Sequence, residues 1–124
     1  MEKLTNKEEE IMRVLWRLKK AFVKEVIAEL PEPKPHYNTV STTIRNMEDK
    51  GLVGHRAFGK THQYFASLSQ EAFRKTFMQN TIQNYFENSY KNVVSYFAKE
   101  DKISVNELKE IISLIEKNKS NKEG

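Results

Sequence analysis

All three prolines of this chain fall at alternate positions: Pro31, Pro33 and Pro35. No helix can run through such a segment. Each ring removes a backbone donor and biases the residue before it towards extended backbone. The prolines therefore form a stiff connector between two helical patterns, and a new element must begin after residue 35.

Before the connector, Thr5 and Glu8 have the spacing of a capping box. Ile11, Leu15 and Leu18 recur at i, i+4 and i+7, with Met12 and Trp16 beside them, which predicts an amphipathic helix over 5–19. Ala21 and Phe22 read as a short extended link, and a helix over 23–30 would bury Val26, Ile27 and Leu30. After the connector, the pattern predicts a helix over 38–50, with Asn38 as N-cap, Gly51 just past its end, and Val40, Ile44 and Met47 as its buried stripe. Leu52–Phe58 and His62–Ala66 then read as two strands joined by a turn at Gly59-Lys60. Helix, short strand, helix, helix and hairpin is the order of a winged helix.

Ser69 and Glu71 open a helix expected to run unbroken over 70–98, with Phe73, Phe77, Phe86, Tyr90, Val93, Val94 and Phe97 on its apolar face. Glu100-Asp101-Lys102 ends it. Ser104 and Glu107 form another capping box, and the last helix carries Val105, Leu108, Ile111, Ile112 and Ile115. The expected fold is mainly α with a small β-hairpin wing. A winged helix-turn-helix domain would occupy 1–68, a helical dimerisation region 69–118 and a flexible tail 119–124.

Several function classes are excluded by what the chain lacks. It has no cysteine, which removes disulfides, thiolate metal sites and cysteine catalysis. His36, His55 and His62 are spaced by 19 and 7 residues, which matches no ligand pattern, so no metal is expected. Glu8-Glu9-Glu10 fits the acidic first turn of a helix better than paired catalytic carboxylates. No nucleophile motif surrounds any serine, and neither an enzyme nor a cofactor is expected. No apolar run approaches the roughly 18–20 residues of a membrane span, and Met1-Glu2-Lys3-Leu4-Thr5 lacks the apolar core of a signal peptide. A cytoplasmic protein with no membrane insertion is expected.

The net charge of +4 is modest, but it is unevenly placed. Residues 34–66 hold Lys34, Arg45, Lys50, Arg56 and Lys60 against only Glu48 and Asp49, together with all three histidines. A contact surface for double-stranded DNA would need its positive charge there. On helix 38–50, the short polar residues Asn38, Thr39, Ser41 and Thr42 precede Arg45 and Asn46, in keeping with a helix that meets phosphates and base edges in the major groove. Arg56, Lys60 and His62 surround the hairpin turn and suit a wing lying on the backbone or minor groove. Tyr64 is expected to pack beneath the hairpin. The plainer reading of the same residues is a solvated helix face and an ordinary turn.

The apolar faces after residue 69 are too wide for two helices to hide. Burial of each large side chain is worth about 1.5–3 kcal/mol, so a homodimer sharing four helices is the natural arrangement. Phe86, Tyr90, Val94, Phe97, Leu108, Ile111, Ile112 and Ile115 would form its interface. A two-fold dimer would read a palindromic operator with half-sites about 10 bp apart or a multiple of that. Two other readings stay open: a winged helix that serves as a protein-interaction adaptor, and a regulator that senses a ligand between its long helices.

The ordered set Thr5, Glu9-Glu10-Ile11-Met12, Leu15-Trp16, Glu25-Val26, Leu30, Thr39-Val40, Lys50-Gly51-Leu52, Gly59, Tyr64, Phe86, Ser89, Val94, Phe97, Ser104 and Glu107-Leu108 resembles the BlaI/MecI/CopY family of penicillinase-type repressors. The resemblance covers nearly the whole chain. It implies a dimeric winged-helix repressor with 38–50 as recognition helix and interlocked C-terminal helices. It also implies derepression by proteolysis, triggered by a membrane-bound zinc metalloprotease sensor. Family members with known cleavage are cut between Asn and Phe, which corresponds here to Tyr96–Phe97, with Tyr96 in place of the Asn. The chain departs from the family elsewhere too. The cysteine motifs of the copper-responsive branch are absent, and Asn46 replaces a common basic residue late in the recognition helix. The basic residue after the wing glycine is kept as Lys60.

Overall fold

The structure, a computed structural model, describes residues 4–123, with side chains through residue 120. The elements run α1 (Asn6–Leu18), β1 (Lys20–Phe22), α2 (Val23–Glu29), α3 (Tyr37–Asp49), β2 (Val53–Phe58), β3 (Thr61–Ala66), α4 (Gln70–Tyr85), α5 (Tyr90–Lys99) and α6 (Val105–Glu123). This mainly helical fold with a small antiparallel sheet matches the expected class. The chain divides into two compact units, residues 1–76 and 77–124.

In the first unit, α1 begins with the expected capping box. Thr5 Oγ1 accepts from the Glu8 N–H at 3.2 Å, and Glu8 Oε1 accepts from the Thr5 N–H at 2.9 Å. Its periodic residues Ile11, Met12, Val14 and Leu15 enter the core, where Ala21, Val26, Val40, Ile44, Met47, Val53 and Tyr64 join them. Trp16 closes one side, its Nε1–H donating to the Leu68 carbonyl at 2.9 Å and its ring 5.4 Å from that of Phe73.

The extended link at Ala21-Phe22 is a true strand. β1 pairs antiparallel with β3, giving a three-stranded sheet of order β1-β3-β2. Its inner face, with Ala21, Val53 and Tyr64, lies on the helices, and Tyr64 is buried as expected.

The helix expected over 38–50, α3, starts one residue earlier than expected. The N-cap is His36, without a side-chain cap bond, and Asn38 lies inside the first turn of α3. The N–H groups that Asn38 was expected to cap are left to other partners. At the other end, Gly51 adopts φ +82, its N–H reaches the Glu48 carbonyl, and the Leu52 N–H reaches that of Met47. This pair of bonds is a Schellman stop, and glycine reaches the left-handed region it needs without a Cβ clash.

The second unit corrects one expectation. The helix over 70–98 is broken: α4 ends at Tyr85, Glu87 and Asn88 take φ +53 and +58, and α5 starts at Tyr90. A helix cannot continue through two left-handed residues, and Ser89 caps the new start by accepting from the Asn92 N–H at 3.1 Å. The aromatic spacing carries across this break, which is why periodicity alone reads one helix. The second break falls where expected, at Asp101, with φ +59. Ser104 and Glu107 form the expected capping pair. Of the expected flexible tail, residue 124 lies outside the described residues, and α6 continues as helix through Glu123.

Candidate nucleic-acid interface

With 3.6 residues per turn, the buried stripe Val40, Ile44 and Met47 leaves Asn38, Thr42 and Arg45 along the opposite ridge of α3. All three are exposed. The guanidinium of Arg45 lies back along this ridge, its Nη2 3.4 Å from Thr42 Oγ1. The other sequence-predicted residues of α3 fall on its flanks. Ser41, with Tyr37, faces the wing, and Thr39 lies beside the proline connector and α1. Asn46 borders Lys7 and Lys50.

The wing is fixed to α3 by its own chemistry. Gly59 takes φ +61 in a two-residue turn, and Thr61 Oγ1 donates to the Phe58 carbonyl at 2.8 Å. In the β2–β3 register, His55 opposes Tyr64 and Ala57 opposes His62, so these four share the inner face. Arg56 opposes Gln63 and stands on the outer face. The wing set is therefore split: Lys60 and His62 turn towards α3, while Arg56 is exposed on the far side.

An open groove of about 520 Å³ lies between α3 and the wing, lined by Tyr37, Ser41, Arg45, Lys60, Thr61 and His62, with the start of α2 at its edge. The one carboxylate bordering it, Glu25, already accepts from the Phe22 N–H at 2.8 Å. Lys24, Arg45 and Lys60 leave the groove positive.

Two of the five cations in residues 34–66 reach partners outside their own element. Lys34 Nζ donates to the Ala28 and Leu30 carbonyls at the end of α2. Lys50 Nζ lies 2.9 Å from Glu8 Oε2. Burial pushes the Glu8 carboxyl up, but the Thr5 N–H, the Lys50 ammonium and the Thr5 hydroxyl together hold it below its ordinary value. This contact joins the start of α1 to the end of α3. A second tie joins α3 to the wing: His55 Nδ1 lies 2.6 Å from Glu48 Oε2, and the His55 ring stacks on His62 with centroids 4.0 Å apart and planes 9° apart. Sequence reasoning missed both ties. Glu48 and His55 do sit at adjoining ends of a helix and a strand, a signal that could have flagged the second. His36 stands apart at the head of α3, and among the described residues no group of three or more metal-ligating side chains is suited to an ion.

The expected dimerisation residues lie in the second unit. Phe86 and Leu108 are half-buried, while Tyr90, Val94, Phe97, Ile111, Ile112 and Ile115 are exposed. α5 buries no residue at all. Leu114 and Val105 add to the exposed apolar surface. Tyr96 packs its ring edge-on to Phe86 and Phe97, and the Tyr96–Phe97 bond lies inside α5. No described helix is long and apolar enough to cross a membrane.

The penicillinase repressor family model matches residues 4–117. The chain is 22% identical over 120 residues to the penicillinase repressor of Bacillus licheniformis, covering 96% of this chain and 94% of that one. It is also 22% identical over 115 residues to the methicillin resistance regulatory protein MecI of Staphylococcus aureus, covering 92% of this chain and 94% of the relative, and equally so to MecI of Staphylococcus epidermidis. With nearly its whole length matched, this chain belongs to the penicillinase repressor family, whose members are regulators and not enzymes.

Proposed function

We propose that this repressor binds a palindromic operator as a homodimer, with residues 1–68 reading DNA and residues 69–118 holding the two chains together. The observation that carries the reading is the positive groove between α3 and the wing beside an exposed ridge of Asn38, Thr42 and Arg45. A ridge of short polar groups around one guanidinium suits base edges in the major groove. Lys60 at the wing tip suits the phosphate backbone. Thr39, Ser41 and Asn46 flank the ridge and would fix its register, and Arg56 would reach the backbone from the wing's outer face. An adaptor surface would instead be acidic or apolar, and the ridge is neither between Asn38 and Arg45.

Pairing of α5 and α6 with the same helices of a second chain would cover the apolar side chains exposed in one copy. Release by proteolysis belongs to the same reading, with a membrane-bound zinc metalloprotease sensor as upstream partner. A protease takes its substrate extended, so cleavage at Tyr96–Phe97 would first require α5 to open.

Two substitutions test the assigned roles. Arg45→Ala is expected to cost about 1–3 kcal/mol on the preferred sequence and to relax discrimination at one base pair. Lys60→Ala is expected to weaken all sequences equally and to flatten the salt dependence. Titration of both variants against specific and random duplexes separates the roles; a sequence-selective loss for Lys60→Ala, or none for Arg45→Ala, would contradict them.

A further inference from the structure

We propose that the groove between α3 and the wing seats a DNA phosphodiester against His62 held as imidazolium, so that duplex binding draws a proton onto the stacked His55–His62 pair. This rests on the DNA-binding reading and adds a proton to it. His62 is exposed and lines the groove with Ser41, Arg45, Lys60 and Thr61. Behind it, its ring lies nearly parallel to that of His55 at 4.0 Å, and His55 Nδ1 meets Glu48 Oε2 at 2.6 Å.

Every neighbouring element contributes to the balance of charge. α3 supplies Glu48 behind the pair and Arg45 in the groove, and β3 supplies the Tyr64 ring, 6.0 Å from His62. The turn supplies Lys60, and α2 supplies Lys24 and Glu25 at the groove's edge.

The stack makes the two imidazoles compete. At this separation, two positive rings repel, so the pair holds one proton far more readily than two. Glu48 lies behind the pair against His55, and Arg45 and Lys60 line the groove with His62. A phosphate in the groove favours the proton on His62. It faces His62 and not His55, it offsets Arg45 and Lys60, and it accepts a charge-assisted hydrogen bond from an imidazolium. His55 then serves as a neutral ring whose Nδ1–H donates to Glu48. Where the free pair is neutral, the bound state holds one proton more, so affinity must rise as pH falls through that range and level off once the free pair itself carries the proton.

The test is binding of a fluorescent random-sequence duplex to the full chain, at fixed ionic strength, from about pH 5.5 to 8.5, where imidazoles titrate. A phosphate contact is blind to sequence, so no operator is needed. Affinity should tighten as pH falls, by up to tenfold per pH unit for each occupied groove. His62→Gln should lose this slope and keep the weak binding of high pH. His62→Lys should bind tightly without a slope. A wild-type affinity independent of pH, or a slope that survives in His62→Gln, would overturn the proposal while leaving the DNA-binding reading intact. Absence of duplex binding at every pH and at low salt would overturn both.

Discussion

Glu8 connects two parts of the chain that the sequence keeps far apart. Its carboxylate closes the first turn of α1 through the Thr5 N–H and reaches Lys50 at the end of α3. Because the folded state holds this carboxyl below its ordinary 4.5, the contribution to stability is fully present above that pH. It is lost as pH falls through the lowered folded value. Glu8→Gln should therefore cost about 1.5–3 kcal/mol near neutrality, the usual worth of a hydrogen bond to a charged group. Urea unfolding at pH 7 and near pH 3 checks it: the gap between wild type and variant should shrink in acid, and a constant gap would deny the ionic part.

The capping half of this contact was legible, since it is local and has fixed spacing. Lys50, 42 residues away, was not. The same divide runs through the candidate DNA-facing set. The composition of α3 was legible, and the helical repeat could have separated the ridge residues Asn38, Thr42 and Arg45 from their flanks. Strand alternation could likewise have set Arg56 apart from His55 and Ala57, which flank it in sequence and face the other way.

At the scale of elements, starts and stops with side-chain or glycine signatures were readable: Thr5 before α1, Gly51 after α3, Gly59 in the wing and Ser104 before α6. The break between α4 and α5 had no glycine, and its one cap residue, Ser89, sits inside an apolar spacing that carries across the break. Glu87 and Asn88 are not glycine, and the left-handed backbone there costs an L-residue roughly 1–2 kcal/mol. Glu87→Gly should consequently be neutral or stabilising, whereas a glycine inside a continuous helix costs about 1 kcal/mol. Thermal unfolding of this variant beside Ser95→Gly, an interior position of α5, distinguishes the cases. Equal destabilisation by both would mean that the helix runs on through residue 87. The strand β1 was equally hard to see: at three residues it has too little length for alternation, and its pairing with β3 spans about forty residues of chain.

For the whole molecule, the two units differ in how well they bury their apolar residues. In residues 1–76 the aliphatic stripes of α1, α2 and α3 meet one another and the inner sheet face. In residues 77–124 Ile82 is the one buried hydrophobic residue among those described, while Tyr90 and Ile115 are each more than half exposed. Exposed apolar area on this scale marks an interaction surface, and the proposed occupant is a second copy of the chain, since two-fold pairing would match the same patch on both copies. In the proposed homodimer, two copies of α3 related by a two-fold axis would demand two inverted half-sites. The width of the apolar face was legible in the sequence; the helix break that shapes the face was not.

The most direct measurement is selection of the purified chain on a random duplex pool at about 150 mM salt, with sequencing of what is retained, run in parallel on Phe97→Asp. Wild type should return an inverted repeat with half-site centres about 10 bp apart or a multiple of that, and Phe97→Asp, monomeric by sedimentation, should return single half-sites weakly or nothing. Enrichment of no sequence by wild type, or of the same inverted repeat at the same affinity by a Phe97→Asp variant that sediments as a monomer, would contradict the account.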